Sequence, residues 1–181
     1  MSELTPAMEK LIDARVQEAL KGAGTPPRKN RMAIIAAQGT LDTAYPPLIL
    51  ASTAVAMEME TAIFFTFYGL YILHKKRGAG LQVPPLANPG APMPVPNIIG
   101  VLPGMTAVAT AMMKSWMGKV KVPSAPELLD MCVESGVRII ACQMTMDVMG
   151  IKKEDLIDDI EVGGAATFLG YAAESSISLF M

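Results

Sequence analysis

The chain has 181 residues, of which 51% are hydrophobic and 18% are charged, and its formal net charge is −2. This length suits a single domain, and the apolar content excludes an intrinsically disordered chain. The small negative charge and the shortness of every Lys/Arg cluster argue against nucleic acid as a partner.

The first thirty residues are predicted to form a unit of their own. Apolar residues recur at helical spacing over 5–20, Thr5 can cap this helix, and Pro6 suits its first position. A polar linker that contains two prolines follows at 24–31. We therefore divide the chain into an N-terminal helix with its linker (1–30) and an α/β domain (31–181).

From residue 32 onward, short apolar runs typical of buried strands alternate with segments of helical periodicity. The predicted strands are 32–37, 61–67, 137–142, 160–162 and 177–180. The predicted helices are 43–58, 105–117, 125–135 and 163–175, with shorter helical turns after residue 69, at 145–150 and at 154–157. This alternation predicts a three-layer α/β/α sandwich with a mainly parallel sheet.

The uncharged stretch 81–113 needs separate treatment. Seven prolines interrupt it, and its continuous apolar part, 98–113, is shorter than the roughly 20 residues that a membrane-spanning helix needs. We interpret 83–103 as an irregular loop and 98–113 as a buried or surface-lying segment. Peripheral contact with a membrane stays open as an alternative.

Cysteine and histidine usage bounds the chemistry. With two cysteines and one histidine, the chain has neither a secreted disulfide scaffold nor the residues of a zinc site. The abundant methionines are more typical of irregular cores than of copper sites. We expect no metal and no other cofactor. Because the opening residues also lack a signal-peptide pattern, the sequence predicts a protein that is located in the reducing cytoplasm.

A candidate site is predicted at the carboxyl ends of three strands, where open α/β sheets bind ligands. The segments predicted to converge there are Gln38-Gly39-Thr40-Leu41-Asp42, Phe67-Tyr68-Gly69 and Cys142-Gln143-Met144-Thr145. Cys142 supplies the nucleophile of this group. It precedes a helical turn whose amide end favours the thiolate, which is the reactive form. Cysteine is also a frequent core residue, so a buried structural Cys142 stays open.

Cys132 has a different predicted role. It lies on the inward face of the helix 125–135, beside Leu128 and Leu129, and is interpreted as a core residue. The following strand carries Cys142 to the other end of the sheet. The predicted separation therefore far exceeds the roughly 7 Å limit between the Cα atoms of a disulfide.

The stretch 136–157, GVRIIACQMTMDVMGIKKEDLI, resembles the DsrE/DsrF-like sulfur-transfer family, in the large branch often called peroxiredoxin-like. Residues 34–42, 63–70 and 162–168 are similar to further segments of that family in the same order. The resemblance covers about 32–181 and leaves the N-terminal helix outside. The insertion 83–96 departs from the family pattern and puts free access to Cys142 in doubt.

The resemblance implies a three-layer sandwich that forms homo-oligomers, and a cytoplasmic persulfide carrier whose cysteine matches Cys142. It also implies a TusA-like sulfur carrier or another thiol protein as partner, and some relatives are membrane-associated. The leading hypothesis is therefore a sulfur carrier or sulfurtransferase. In it, the Cys142 thiolate takes sulfur from a donor persulfide or thiosulfonate and passes it on.

The other candidate residues of this hypothesis surround the thiol. Gln143, Thr145 and nearby backbone amides are expected to stabilise the bound anion. Gly39, Thr40, Tyr68 and Gly69 are expected to line the substrate site. The alternative function is a non-catalytic oligomeric scaffold or peripheral membrane protein with a buried Cys142. A thiol peroxidase is disfavoured because the chain lacks a Thr-x-x-Cys arrangement.

Overall fold

A computed structural model describes residue 8 and residues 10–16, 29–84 and 103–181. Residues 8 and 10–16 are helical, within the helix predicted at 5–20. Residues 24–28 of the predicted linker and 85–102 of the predicted irregular loop lie outside the described residues. Across the described ranges, no helix is both long and apolar enough to cross a membrane.

Five strands form one sheet in which every pairing is parallel. They are β1 (Lys29–Ala36), β2 (Glu60–Phe65), β3 (Arg138–Cys142), β4 (Glu161–Gly163) and β5 (Ser175–Phe180). Their order across the sheet is β4-β3-β2-β1-β5. The predicted α/β fold with a mainly parallel sheet is confirmed.

Helices connect these strands. The α-helices are α1 (Leu41–Ala56), α2 (Met105–Lys119), α3 (Ala125–Glu134), α4 (Gln143–Met149) and α5 (Ala165–Ala173). Shorter 3-10 helices span Phe67–Ile72, Gly78–Gly80 and Lys153–Asp155. The start of α3 is fixed by a capping box, in which the Ser124 backbone N–H donates to the Glu127 carboxylate at 2.7 Å.

Several predicted boundaries differ from the structure by a few residues, and two of them have a physical reason that concerns the site. β1 begins at Lys29, inside the predicted linker, because Lys29 and Arg31 both pair with Glu174 beside the start of β5. The strand predicted at 61–67 ends at Phe65, and a 3-10 helix begins at Phe67. This earlier ending places Thr66 and Phe67 in the loop at the carboxyl edge of the sheet.

The two faces of the sheet are covered unequally. Right-handed crossovers place α1 and α3 on one face, while the return from β4 to β5 places α5 on the other. The larger core cluster joins α1 and α3 to strand residues such as Ile34 and Ile63. The smaller cluster joins Phe168 of α5 to a few side chains that include Cys142. Cys142 therefore lies on the thinly covered face.

Candidate functional site

The carboxyl ends of β1, β2 and β3 meet at one edge of the sheet. Ala36 pairs with Phe65, and Phe65 pairs with Ala141, so Cys142 extends one residue beyond the end of β2, while on its other side it pairs with Gly163 of β4. The loops that follow these strands therefore converge beside Cys142. Cys142 itself is the N-cap residue of α4.

Two of these loops cross in close contact at the glycines that the sequence singled out. A Cβ atom at Gly39 would lie 2.1 Å from the Tyr68 carbonyl oxygen, and one at Gly69 would lie 2.1 Å from the Ala36 carbonyl oxygen. The Thr66 N–H also donates to the Ala36 carbonyl at 3.0 Å. The absence of side chains at both glycines thus allows the loop after β1 to hold the loop after β2 in place.

Thr145 connects the loop after β2 to α4. Its side chain is 2% exposed, and its Oγ1 atom lies 3.1 Å from Oγ1 of Thr66. The Phe67 N–H donates to the same Thr145 oxygen at 3.2 Å. Phe67 adopts a φ of 45°, a conformation that non-glycine residues rarely take. This strained residue therefore presents its amide to the hydroxyl group next to Cys142.

The Cys142 thiol combines burial with several hydrogen-bond donors. Burial acts to raise its pKa, but hydrogen bonds outweigh that effect and lower the pKa below the ordinary thiol value of 9.0. The donors are the Thr145 hydroxyl and N–H, the Thr66 hydroxyl and the Met144 N–H. Because hydrogen bonds to a thiolate favour the charged form, this site holds a thiolate more readily than a free cysteine does.

Cys132 lies in a contrasting environment on the other face of the sheet. It is fully buried in the larger cluster, and its Sγ donates to the Leu48 carbonyl oxygen at 3.3 Å. Burial raises the pKa of this thiol to about 11. Both cysteines are free thiols, and they pack in different clusters. The sheet lies between the two clusters and therefore separates the two thiols, which opposes a disulfide between them.

The family model for DsrE/DsrF/DrsH-like proteins matches residues 28–180. The chain belongs to this family. It is 48% identical over 159 residues to a protein of Allochromatium vinosum named sulfur carrier protein DsrE2, covering 84% of this chain and 99% of that protein. It is also 34% identical to the uncharacterised protein YrkE of Bacillus subtilis, covering 83% of this chain and 96% of that one. The predicted family is confirmed.

A solved structure shows the same fold at much lower identity. The crystal structure of the ychN protein from E. coli superposes with a TM-score of 0.50 at 15% identity, covering 83% of this chain and 98% of that one. At this identity the likeness concerns the fold alone. It agrees with the parallel sheet that positions Cys142 in this DsrE/DsrF/DrsH-like chain.

The predicted site residues divide into three groups in this DsrE/DsrF/DrsH-like fold. Thr145 reaches the sulfur, and Gly39, Tyr68 and Gly69 form the loop crossing beside it. The side chains of Gln143 and Thr40 have other partners. The exposed Gln143 amide donates to Asp147 at 2.8 Å. The Thr40 hydroxyl donates to Asp42 at 2.6 Å, and Thr40 is the N-cap residue of α1.

The sequence reasoning missed Thr66, and it placed Phe67 in a segment at this edge of the sheet without assigning it a role. Thr66 is a polar residue that directly follows an aromatic strand, which is the signal that could have found it. The role of Phe67 depends on its backbone amide and its positive φ, for which a phenylalanine gives no local signal. Phe67, Tyr68 and Met144, in the segments that follow β2 and β3, are all more than half exposed, so apolar side chains face solvent at this edge of the sheet. In the described part of the chain, no group of three metal-binding side chains occurs.

Proposed function

We propose that this chain is a sulfur carrier that holds sulfane sulfur as a persulfide on Cys142 and delivers it to a partner thiol. The observation that carries the proposal is the position of Cys142 at the end of β3 and at the N-cap of α4, where hydroxyl and amide groups lower its pKa although the residue is only 4% exposed. The relationship to a protein named sulfur carrier protein DsrE2 supports the same reading.

Loading is a thiol exchange reaction. The Cys142 thiolate forms a bond to the outer sulfur of a donor persulfide, R–S–SH, and the bond between the two donor sulfurs breaks. The electron pair of that bond leaves on the donor as R–S⁻, and Cys142 becomes a persulfide. No external oxidant or reductant enters this balance.

Delivery uses the same chemistry in the other direction. A partner thiolate attacks the outer sulfur of the Cys142 persulfide, and Cys142 leaves as a thiolate. The donors from Thr145, Thr66 and Met144 stabilise the charge that returns to the Cys142 sulfur. A thiol of lower pKa is a better leaving group, so the same hydrogen bonds favour loading and delivery.

The surroundings of the thiol suit a protein partner. The exposed side chains of Phe67, Tyr68 and Met144 offer apolar contact area beside the sulfur. A TusA-like carrier or another thiol protein in the cytoplasm is the proposed acceptor. Burial of Cys142 protects the persulfide from stray thiols between loading and delivery.

A second copy of the chain is the proposed cover for the face that carries α5. This helix has nine residues, and Leu169 and the edge-strand residue Phe180 beside it are 62% and 73% exposed. The N-terminal helix, with apolar residues such as Leu11 exposed, is proposed to extend this contact. Light scattering at micromolar concentration should give a mass above that of one chain, and a clean monomer would contradict this assembly.

Mass spectrometry after incubation with polysulfide tests the carrier function. The wild-type protein and Cys132→Ser should each gain sulfur, and Cys142→Ser should gain none. Retention of the gain in Cys142→Ser would overturn the site. Absence of any gain in the wild type, together with slow alkylation of the native protein, would favour the scaffold alternative.

A further inference from the structure

The charges of this chain are distributed unevenly along the sequence. Residues 61–126 contain six of the 15 lysines and arginines and none of the 17 acidic residues. The six cations are Lys75, Lys76, Arg77, Lys114, Lys119 and Lys121. This segment is therefore strongly positive, although the formal net charge of the whole chain is −2. Such an asymmetry indicates that this part of the chain meets an anionic partner.

The fold connects the two groups of cations through the start of α2. An open depression is lined by Lys76 and Arg77 from the segment after β2 and by Thr106 from the first turn of α2. One turn further along α2, the Thr110 hydroxyl accepts a hydrogen bond from the Val83 N–H at 3.0 Å. The cations at 76–77 and the lysines of α2 therefore belong to neighbouring parts of one surface.

The helix α2 is apolar on the side that faces solvent. Thr110 is buried, and Met113 packs against the larger core cluster, so these residues mark the inner side. Val108, Met112 and Trp116 are 58%, 37% and 37% exposed. Because they are four residues apart, they form one apolar stripe along the helix. We call these three residues the α2 stripe.

Lysines accompany the α2 stripe. Lys114 lies between Met112 and Trp116 in the sequence, Lys119 comes three residues after Trp116, and Lys121 follows the end of the helix. All three lysines are exposed, and within the described ranges none of them takes part in an ion pair. These free cations would repel one another if two copies of the chain met through this side of α2. An apolar stripe that contains tryptophan and is accompanied by lysines is typical of helices that lie in the headgroup region of anionic bilayers.

We propose that α2 and the neighbouring depression bind the surface of an anionic phospholipid membrane. The α2 stripe enters the boundary between headgroups and acyl chains, while the lysines of α2, together with Lys76 and Arg77, attract the anionic headgroups. Met113 of α2 packs on the larger cluster, whereas Cys142 belongs to the smaller cluster on the other face of the sheet. The membrane-binding surface is therefore separate from the thiol site, and this inference does not depend on the carrier function.

The fluorescence of Trp116 tests the proposal directly, because Trp116 is the only tryptophan of the chain. The full-length protein is mixed with vesicles of phosphatidylcholine alone or of an equimolar mixture with phosphatidylglycerol. With the anionic vesicles, the emission should move to shorter wavelength and quenching by acrylamide should fall, since the indole leaves water. Absence of this shift, or an equal shift with both kinds of vesicle, would overturn the proposal.

The charge contribution is tested by Lys119→Gln, Lys121→Gln in vesicle co-sedimentation at low salt. This double variant should bind the anionic vesicles about tenfold or more weakly, because each lysine near such a surface contributes about fivefold. The control Lys152→Gln, Lys153→Gln removes the same charge next to Glu154, outside the acid-free segment, and should keep the affinity within about threefold. Equal losses in the two double variants would show that the charge of α2 has no special role and would refute the proposal.

The apolar contribution is tested by Val108→Gln, with Val148→Gln on α4 as the control, since both valines are more than half exposed. Val108→Gln should weaken binding to anionic vesicles roughly fivefold, and Val148→Gln should leave it unchanged. If Val108→Gln instead lowers the mass found by light scattering and has no effect on vesicle binding, the α2 stripe is an interface between copies of the chain and the membrane assignment is wrong.

Discussion

The two cysteines of this chain are both buried, yet the protein shifts their pKa values in opposite directions. Cys132 is 0% exposed and Cys142 is 4% exposed. Around Cys132, the Leu48 carbonyl accepts a hydrogen bond from the neutral thiol, and burial raises the pKa to about 11. Around Cys142, hydroxyl and amide donors lower the pKa in spite of burial. The Ser52 N–H also acts to lower the pKa of Cys132, but the deeper burial of that thiol outweighs it, so both the depth of burial and the number of nearby donors distinguish the two sulfurs.

The position of each cysteine in the fold explains this difference. Cys132 lies inside α3, where the backbone N–H groups are used within the helix. Cys142 lies where β3 ends and α4 begins, and the first N–H groups of a helix have no partner within it. The loop after β2 adds Thr66 to these donors, and the crossing at Gly39 and Gly69 fixes that loop.

The largest expected effect comes from breaking the loop crossing. Gly69→Ala would place a Cβ atom 2.1 Å from the Ala36 carbonyl oxygen, so we expect a loss of about 3 kcal/mol or more in the free energy of unfolding. The displaced loop would also slow alkylation of Cys142. Denaturant unfolding and alkylation rates check both effects. Gly170→Ala is the control, because nothing lies within 4 Å of a Cβ there; equal stability of the two variants would contradict the crossing.

Alkaline pH should affect the two cysteines with opposite sign. The raised pKa of Cys132 means that its contribution to stability is complete below 9.0 and is lost as pH rises to about 11. Two pH units correspond to about 3 kcal/mol of unfolding free energy. The lowered pKa of Cys142 gives stability that is complete above 9.0 and is lost as pH falls through its folded-state pKa.

Denaturant unfolding between pH 8 and pH 11 measures the Cys132 contribution. Cys132→Ser should remove it, because a serine hydroxyl does not titrate in this range and still donates to the Leu48 carbonyl. The wild type should therefore lose more stability than Cys132→Ser over this interval. Parallel losses in the two proteins would refute the assignment of this titration to Cys132.

A smaller effect is expected from Thr145→Val, which keeps the shape of the side chain and removes its hydroxyl. The Phe67 N–H would lose its acceptor, which costs about 1–3 kcal/mol of stability. The pKa of Cys142 should rise because the Thr145 hydroxyl, the donor that lowers it most, is lost. Alkylation at neutral pH should therefore slow by roughly tenfold. Thr145→Ser retains the hydroxyl and should match wild type in stability and alkylation rate. An equal loss in Thr145→Ser would contradict the role of the hydroxyl and would assign the effect to the shape of the side chain.

The local signals in the sequence predicted most of the fold. The helix predicted at 125–135 begins where α3 begins, because its start is set locally, by a capping box between residues three apart, Ser124 and Glu127. The start of β1 was missed because Lys29 and Arg31 are polar, and their partner Glu174 is more than 140 residues away. A short-range pattern holds no information about such a pairing.

For the candidate site too, the sequence indicated the residues whose position depends on local signals and missed those that depend on distant contacts. Cys142 ends β3 and Thr145 follows it, and the rule that ligands bind at the carboxyl edge directed attention to them. Thr66 was missed because its contact with Thr145 joins residues 79 positions apart. The roles of Gln143 and Thr40 could not be predicted either, since Asp147 and Asp42 each compete for a side chain that the sequence leaves free to rotate.

Site-resolved alkylation of the native protein, followed by mass spectrometry from pH 6 to pH 10, tests the central comparison most directly. Cys142 should react with a midpoint below 9.0, the ordinary thiol value, and Cys132 should react only after unfolding. Thr145→Val should move the Cys142 midpoint upward and leave Cys132 unchanged. A Cys142 midpoint at or above 9.0, or equally slow labelling of both cysteines, would contradict the account.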